Sequence, residues 1–531
     1  MRPAGWDSYE MSEVFVPVDR EQSFLMAFDF RELLGEDHLV WTVIGVVDSL
    51  DLSPLYARYG DHPEGGRPAF DPKMMLALLV YGYANGLRSS RALETACRLD
   101  FAYRAITANR QPDHATIARF RASLDAELAP LFAQVLGICA ELGMGKVGLV
   151  AVDGTRLEAA ASKASNRTQG QLQALQAQAR EMLAEAAAAD AADLHSPPPA
   201  PLSAAERLER IAAAQARLQE RTSPPPRNRG GWEPTVNLTD PDSRVMKRAE
   251  GGFLQGYNAQ AVVSADQLVI AASVSNQPTD VGLLGPLLEA AVANLEAAGS
   301  PQRIGTALAD AGYWSEANST LDLGIDLLIA TTKSHRVGQT LDRGKGKPGP
   351  PTPQEWTERR RPIIEAAVAG RLTLKEAAAQ LGLSYTWTWQ LVTNYRRRGN
   401  SALALSRQPT GAGPGPRPPS SATLARRAME TKLAQNLERY RQRAWMIEGV
   451  FAHTKWHRGY RRFSRRGLTA VDAEWKLIHL AGNIRKAHRF TSRPLSPTFP
   501  SPSPGCRPRL SPHPLGPVGH RSFRCRLRRS S

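Results

Sequence analysis

The stretch KVGLVAVDGT, residues 146–155, is a short run of apolar residues that breaks off at Asp153. A second stretch of the same kind, IGTALADAG at 304–312, breaks off at Asp310. Short apolar runs bounded by glycine and polar residues are typical of strands that are buried on both faces of a sheet. The two stretches therefore predict two buried strands, each ending on a carboxylate.

Further elements are predicted around these two strands. They are a hairpin at 256–276, a helix at 281–298, a short helix at 314–323, a strand at 325–332, and helices at 440–462 and 471–489. A third acid, Glu448, lies on the first of the last two helices. The predicted order is strand, hairpin, helix, strand, helix, strand and helix. This order, with acids in these places, is the layout of an RNase H-like core. We therefore predict an α/β protein with a mixed sheet of this layout.

Two inserted regions interrupt the predicted core. Residues 165–230 combine Gln- and Ala-rich helices with SPPPAP and SPPPRNRGG, and 336–430 begins near GKGKPGPPTP and contains PTGAGPGPRPPSS. Proline- and glycine-rich stretches mark linkers and loops. The core is therefore predicted to consist of three pieces, 146–164, 231–335 and 431–490.

The two ends of the chain differ from this core. Helical periodicity over 1–145 predicts an all-helical N-terminal domain, for which we expect a role in DNA binding. A plain helical bundle without DNA contacts is the alternative. Residues 491–531 are rich in Pro, Ser and Arg without periodicity, which predicts a disordered basic tail.

The second insertion contains RLTLKEAAAQLGLSYTWTWQLVTNYRRRG, residues 371–399. A helix, Gly382 and a second helix ending in Arg396, Arg397 and Arg398 form the pattern of a helix-turn-helix unit. We predict that this unit binds DNA through these arginines. The alternative is an αα-hairpin whose only role is packing.

The positive charge of the chain is concentrated at its C-terminal end. The formal net charge is +16, and the part from Tyr440 onward holds 20 Lys and Arg against three acidic residues. A nearly neutral body with a strongly basic end favours a polyanionic partner, of which nucleic acid is the commonest. A basic tail that only aids solubility is the alternative, but the segment 440–489 is also rich in apolar residues and predicts folded structure.

Several other kinds of site and location are disfavoured. The four cysteines show no CxxC spacing, and His453 and His457, which stand four apart, lack the glutamate of a HExxH zinc site. The stretch 338–347 does not have the spacing of a nucleotide-binding phosphate loop. There is no signal-peptide pattern and no run of about 18 apolar residues, so we expect a cytoplasmic protein without a membrane partner.

Five motifs resemble those of bacterial insertion-sequence transposases of the DDE class. They are AVDGT (151–155), NLTDPDSRVMK (237–247), GYNAQ (256–260), ALADAGYWS (307–315) and YRQRAWMIEGVFAHTK (440–455). The branch that is most similar has an N-terminal helical domain before an RNase H-like catalytic core. The resemblance covers roughly 65–160, 230–335 and 430–490, and it implies a nucleoid-associated protein of bacteria.

The resemblance implies that Asp153, Asp310 and Glu448 are the catalytic acids and hold two Mg²⁺ ions, for which Mn²⁺ could substitute. In-line attack on a phosphodiester needs two divalent ions about 3.5–4 Å apart, one for the attacking oxygen and one for the leaving oxygen. Mg²⁺ prefers oxygen ligands and is usually held by few carboxylates together with substrate phosphates.

The signature of this class around the acid helix is matched by Tyr440, Arg443, Glu448 and Lys455. On a helix, Glu448 and Lys455 would share a face about 10.5 Å apart, so that Lys455 could bind a phosphate beside the metal site. Arg443 would point elsewhere on the helix, towards flanking DNA. Four residues separate Arg443 from Glu448, against three in the most familiar form of the signature. Tyr440 and Arg458 are included among the predicted DNA contacts.

Other acids near these motifs have simpler explanations. We interpret Asp266 as part of the hairpin turn, Asp280 as a helix N-cap, Asp322 as unrelated to the site, and Asp240 and Asp242 as residues of a turn around Pro241.

The resemblance implies cleavage at the ends of a mobile element by water, followed by attack of the freed 3′-hydroxyl on target DNA. Because two DNA ends must be held together, a homodimer on DNA is expected. Two alternatives stay open: a non-catalytic DNA-binding regulator or inactive transposase remnant, and an RNase H-like nuclease without strand transfer.

Overall fold

The computed structural model describes residues 29–58, 69–192, 204–221, 233–248, 251–332, 353–403 and 420–492. The first 28 residues of the predicted helical domain, the stretch 338–347 and the predicted tail from 493 onward lie outside these ranges.

The strands are β1 (Leu149–Glu158), β2 (Asn166–Thr168), β3 (Thr235–Asn237), β4 (Arg244–Lys247), β5 (Phe253–Ser264), β6 (Val269–Ser275), β7 (Thr306–Ala309) and β8 (Asp326–Ile329). Six of them form one mixed sheet with β1 in the middle. On one side β1 pairs antiparallel with β5, which also pairs antiparallel with β4 and β6. On the other side β1, β7 and β8 are parallel. The predicted hairpin corresponds to β5 and β6.

The strand β1 is longer than the sequence predicted. We expected it to end at Asp153, but it continues to Glu158 because β5 supplies antiparallel partners as far as the pair Glu158 and Gly256. The strand β7, in contrast, ends at Ala309, directly before Asp310, as its sequence predicted. All four residues of β7 are buried, as expected for a strand covered on both faces.

The helices before the sheet are α1 (Phe30–Leu34), α2 (Leu39–Ser49), α3 (Ser53–Tyr56), α4 (Pro72–Ala84), α5 (Ser90–Leu99), α6 (Phe101–Thr107), α7 (His114–Ser123) and α8 (Leu128–Glu141). Their buried residues, Cys97 and Cys139 among them, belong to the same hydrophobic core as the sheet. These helices therefore share one continuous core with the sheet rather than having a core of their own.

The helices after β1 are α9 (Gln169–Ala192), α10 (Ala204–Gln219), α11 (Leu284–Ala297), α12 (Glu316–Ser319), α13 (Pro353–Val368), α14 (Leu374–Leu381), α15 (Tyr385–Arg398), α16 (Ser421–Gln435), α17 (Leu437–Ala452) and α18 (Leu468–Thr491). The helix α18 packs on β6, α4 and α8, so it joins the sheet to the N-terminal helices. Its Trp475 is fully buried and donates a hydrogen bond to the Gln260 carbonyl at 2.8 Å.

The inserted helices have small hydrophobic cores of their own. The helices α9 and α10 pack on each other around Leu172, Ile211 and Leu218. The helices α13, α14 and α15 enclose a second cluster that includes Ile364 and Leu391. Within the described ranges no single helix is long and apolar enough to cross a membrane, and α7 and α8 reach that length only as a pair bent by 83°.

Candidate active site

Asp153 and Asp310 occupy neighbouring positions in the middle of the sheet. Val152 of β1 pairs in parallel with Ala309 of β7, and each acid is the next residue along the chain. Parallel strands run in the same direction, so residues that follow a matched pair lie beside each other. The structure therefore brings together the two acids that the sequence predicted at strand ends.

Backbone amides bind both carboxylates. Asp310 caps a single 3₁₀ turn, and one of its oxygens accepts a hydrogen bond from the Gly312 amide at 2.9 Å. Asp153 accepts one from the Gly154 amide at 2.8 Å. A Cβ atom at Gly154 would lie 2.2 Å from Nε2 of Gln260, so the Gln260 side chain occupies the space that a larger residue after Asp153 would need.

Burial makes the charged forms of both acids unfavourable. It raises the pKa of Asp153 to about 6, although the Arg443 cation opposes this effect, and the negative charge of Asp310 adds to it. Burial also raises the pKa of Asp310, again against the effect of Arg443. A bound cation stabilises the ionised forms of two carboxylates that repel each other. The pair therefore suits a hard divalent cation such as Mg²⁺.

Arg443 supplies the positive charge beside this pair. Its side chain is only 9% exposed, and its Nη1 donates to an oxygen of Asp153 at 3.0 Å. Arg443 lies on a different face of its helix from Glu448, as predicted, but this face meets Asp153 and not flanking DNA. The reason is the rotation of α17 about its axis, which turns the face with Tyr440, Arg443 and Ile447 towards the sheet.

Tyr440 and Arg439 attach the start of α17 to β7. The Tyr440 hydroxyl is buried and donates to the carbonyl of Ala309 at 3.2 Å, one residue before Asp310. Arg439 donates to the Thr306 hydroxyl at 3.4 Å. Tyr440, which was predicted to contact DNA, thus has a packing position in the structure and holds the helix of Arg443 against the acid pair.

Glu448 lies on the exposed part of α17. It follows Arg443 by five residues, which places it about 140° further round the helix. Within the described part of the chain it makes no hydrogen bond or ion pair. No three His, Cys, Asp or Glu side chains among the described residues are grouped closely enough to hold a metal ion. The structure therefore places two of the predicted acids together, and the third apart from them.

Lys455 lies beyond the end of α17. The α-helix stops at Ala452, and His453–His457 forms a π-helical turn, so the regular seven-residue spacing from Glu448 is not kept. The predicted separation of about 10.5 Å on a shared face, which assumes a continuous α-helix, therefore does not apply. Lys455 lines a depression of about 400 Å³ beside Thr155 of β1.

An acid that we assigned to helix capping lies next to the pair. Asp280 precedes a 3₁₀ turn, but its carboxylate makes no capping bond. It accepts hydrogen bonds from the side-chain amides of Asn258 at 2.6 Å and Gln260 at 3.0 Å. A Cβ atom at Gly312 would lie 3.0 Å from oxygens of both Asp280 and Asp310. Asp280 thus occupies an N-cap position, as interpreted, but its carboxylate binds these amides instead of capping the turn. The alternation of the two amides in GYNAQ, which puts them on one face of β5, is the signal that could have indicated a polar partner.

The other acids have structural roles. Asp266 accepts hydrogen bonds from the amides of Gly145 and Lys146, in keeping with its predicted place at the hairpin turn. Asp240 and Asp242 lie in a turn around Pro241, as interpreted, with the Ser243 amide donating to the Asp240 carbonyl at 3.1 Å. Their carboxylates also accept bonds from amides at the start of α18, Gly467 at 3.2 Å and Leu468 at 2.8 Å.

The remaining predicted DNA contacts lie in two different settings. Arg396, Arg397 and Arg398 are exposed at the end of α15, whose first turn is capped by Ser384. Between α14 and α15 the turn passes through Gly382 with φ of +63°, a conformation that favours glycine. Arg458, in contrast, is 6% exposed and packs inside the core.

Comparison with known protein families gives two matches. Residues 28–123 match the family described as a transposase domain of unknown function, DUF772, and residues 419–488 match a transposase DDE domain. No curated protein matches the chain. The first match covers α1 to α7. The second covers α16, α17 and most of α18, and α17 carries both Arg443 and Glu448. The two matches support a relationship between this chain and the insertion-sequence transposases of the DDE class.

Proposed function

We propose that this chain is a DNA transposase that cleaves the ends of a mobile element and joins them to target DNA in a reaction that requires a divalent metal. The observation that carries the proposal is the pair Asp153 and Asp310, which lie half-buried side by side, with desolvation raising the pKa of each. If these acids served only to stabilise the fold, a single acid paired with Arg443 would be sufficient. Two acids with one arginine leave negative charge for a cation to neutralise.

The sheet supports an RNase H-like core as the fold of this site. If the edge strand β4 is set aside, the order across the sheet is β6, β5, β1, β7 and β8. In chain order these are the third, second, first, fourth and fifth strands of the sheet. The first three are antiparallel and the last two are parallel to the first. This is the arrangement that the order of predicted elements implied.

The residues around the acid pair would have different roles in the reaction. Asp153 and Asp310 would hold the metal, with Glu448 as the third acid, and Mg²⁺ would activate the attacking oxygen and stabilise the leaving one. Arg443 neutralises Asp153 and holds its carboxylate in one orientation. Tyr440 keeps α17 in contact with β7.

Incubation of the purified chain with terminal-repeat DNA and Mg²⁺ tests this function. We expect nicked ends and joined products on a denaturing gel. With pre-cleaved terminal-repeat DNA, joined products should form from a 3′-hydroxyl end and be absent when that end is a 3′-deoxy nucleotide. Nicking without joining would instead support the nuclease alternative. Binding without either product would support the regulator or an inactive remnant.

The arginines at the end of α15 are proposed to contact DNA phosphates. We expect that changing Arg396, Arg397 and Arg398 together to Gln weakens DNA binding and lowers the slope of log K against log salt by up to about 2.7, since each phosphate contact contributes about 0.9. Fluorescence anisotropy of labelled duplex at several salt concentrations measures both.

The control for this variant removes the same charge from the same inserted unit. Arg359, Arg361 and Arg371 are exposed residues outside α15. Their triple change to Gln should leave the slope within about one unit of the wild-type value, because general attraction alone is screened within about 10 Å. If both triple variants lose the same amount of DNA affinity and of salt slope, α15 has no specific role in DNA binding.

A further inference from the structure

A basic cavity of about 390 Å³ lies between the end of α17, the π-helical turn, α18 and the hairpin of β5 and β6. Its lining includes Arg458, Arg485, Lys486, Arg489, His453 and His479, and it includes no acidic residue. Neither Asp153 nor Asp310 lines it, so it is separate from the acid pair. A concentration of cations around a recess is unfavourable unless an anion enters it.

Arg458 is buried in the wall of this basic cavity without a counter-ion. Its guanidinium donates to the Ile478 carbonyl at 2.8 Å and to the Thr454 hydroxyl at 3.0 Å, and its Nε is buried without a partner. No described carboxylate forms an ion pair with it. Burial lowers the pKa of Arg458 to about 10, and the charge of Arg485 contributes in the same direction. Its guanidinium also lies over the Tyr460 ring, 5.4 Å from the centroid, but no carboxylate neutralises it. A buried charge without a counter-ion is costly, so the position needs an explanation beyond packing.

A second buried group in the wall also lacks a partner. His479 is 1% exposed, and its Nε2 makes no hydrogen bond. Its ring packs edge-on against Trp475, with the ring centroids 4.1 Å apart. Buried polar atoms in folded proteins nearly always have partners, and a missing one often indicates a group that enters from outside. The imidazole can donate a hydrogen bond to an anionic oxygen.

Lys486 and Arg485 complete the cationic lining from α18. Lys486 is half-buried and donates to the carbonyl of Gln267 on the hairpin. Burial lowers its pKa to about 8, against the effect of Asp266. Arg485 donates to the carbonyl of Ala84 at 2.7 Å, and neither side chain forms an ion pair with a described carboxylate. Both donate directly to neutral carbonyl groups, and Asp266 acts on Lys486 only as a nearby charge without an ion pair.

The local backbone allows these side chains to converge. Gly482 lies on α18 opposite Arg458, and a Cβ atom there would lie 3.1 Å from Nη2 of Arg458. The π-helical turn His453–His457 positions His453 on the same cavity. Single π-helical turns in helices occur frequently at functional sites.

We propose that the basic cavity is a binding site for one phosphate group, held by Arg458, Lys486 and His479. The proposal rests on the cavity and its unpartnered atoms and does not depend on the catalytic role of the acid pair. A phosphate oxygen accepts hydrogen bonds from all three side-chain types, and its charge compensates the cations that no carboxylate pairs. The phosphate can belong to the DNA backbone or to a free phosphate ion or ester.

Thermal unfolding of the full chain in inorganic phosphate, against chloride at the same ionic strength, tests the site. We expect phosphate to raise the Tm of the wild type in a saturable way, since a ligand of the native state stabilises it by mass action. Lys486→Gln and His479→Phe should each weaken the apparent phosphate affinity at least fivefold. His479→Phe retains an aromatic ring against Trp475, so it separates loss of Nε2 from loss of packing.

The matched control is Arg427→Gln, which removes one exposed charge from α16, outside the cavity. It should respond to phosphate as the wild type does. If phosphate raises the Tm of the wild type no more than chloride does, the proposal is wrong. It is also wrong if Arg427→Gln loses as much of the phosphate response as Lys486→Gln and His479→Phe do. The Tm in chloride alone shows whether a variant has simply lost stability.

Binding of a labelled duplex identifies the source of the phosphate. If the DNA backbone occupies the cavity, Lys486→Gln weakens DNA binding several-fold, lowers the salt slope by about 0.9, and free phosphate competes with DNA. If a free phosphate or ester is the ligand, the variant loses the phosphate response and binds DNA as the wild type does. Either result supports the site, and neither depends on cleavage activity.

Discussion

Asn in place of Asp153 or Asp310 is expected to reduce Mg²⁺-dependent cleavage of terminal-repeat DNA by at least about 100-fold. Loss of a group that only orients a metal ligand costs 10–100-fold, and loss of a ligand itself should exceed that range. Either change also leaves a single carboxylate opposite Arg443, which that arginine alone can neutralise. Single-turnover cleavage measured beside DNA affinity separates loss of chemistry from loss of binding.

A neutral replacement of Asp322 is the matched control. This acid is exposed and lies outside the pair, so Asp322→Asn should retain the wild-type cleavage rate. Full cleavage by Asp153→Asn with unchanged DNA binding would mean that the pair is not the catalytic centre. Retained folding of each variant is checked by its thermal transition.

The third acid is tested by two further variants. We expect Glu448→Gln to lose cleavage as completely as Asp153→Asn, because its exposed carboxylate is unpaired and available to a metal. Asp280→Asn should lose less, within 10–100-fold, because Asp280 binds the amides of Asn258 and Gln260 and would act by positioning Asp310. The opposite order of effects would make Asp280 the third ligand and remove Glu448 from the site.

The two acids could be predicted from the sequence because a local pattern determines their positions. An apolar run that stops at a polar residue indicates a strand and its end, and parallel pairing then places the ends together. The sequence predicted the end of β1 at Asp153, which is too early, but this error does not affect the predicted position of the acid. Asp153 stays next to β7 whether the strand stops there or continues along β5.

The neighbours of the acids could not be predicted in the same way, because they depend on packing between distant elements. Arg443 meets Asp153 because of the face that α17 turns to the sheet. Lys455 does not share a helix face with Glu448 at the regular seven-residue spacing, because a π-helical turn begins at His453. Asp280 shows the same limit. Its local sequence fits an N-cap, yet its partners, Asn258 and Gln260, lie about 20 residues earlier on β5.

Mg²⁺ is expected to stabilise the folded chain against heat at pH 8 and to have little effect at pH 5. The pKa of Asp153 is about 6, so at pH 5 the carboxyl is mostly protonated and cannot bind a cation, whereas at pH 8 it is ionised. At a concentration of 100 times Kd, the stabilisation would be about 2.7 kcal/mol. Thermal unfolding in MgCl₂ and in NaCl of equal ionic strength measures the difference.

The metal-free chain should show the reverse dependence on pH. Because the folded-state pKa of Asp153 lies above its unfolded value, the folded state binds more protons between about pH 4 and 6, and stability falls as pH rises through this range. A shift of this size corresponds to an effect on the order of 2–3 kcal/mol. Mg²⁺ would then offset at high pH the repulsion that the ionised pair creates. Asp153→Asn should show neither the fall nor the Mg²⁺ effect, and an equal Mg²⁺ effect at both pH values would show that the cation binds elsewhere.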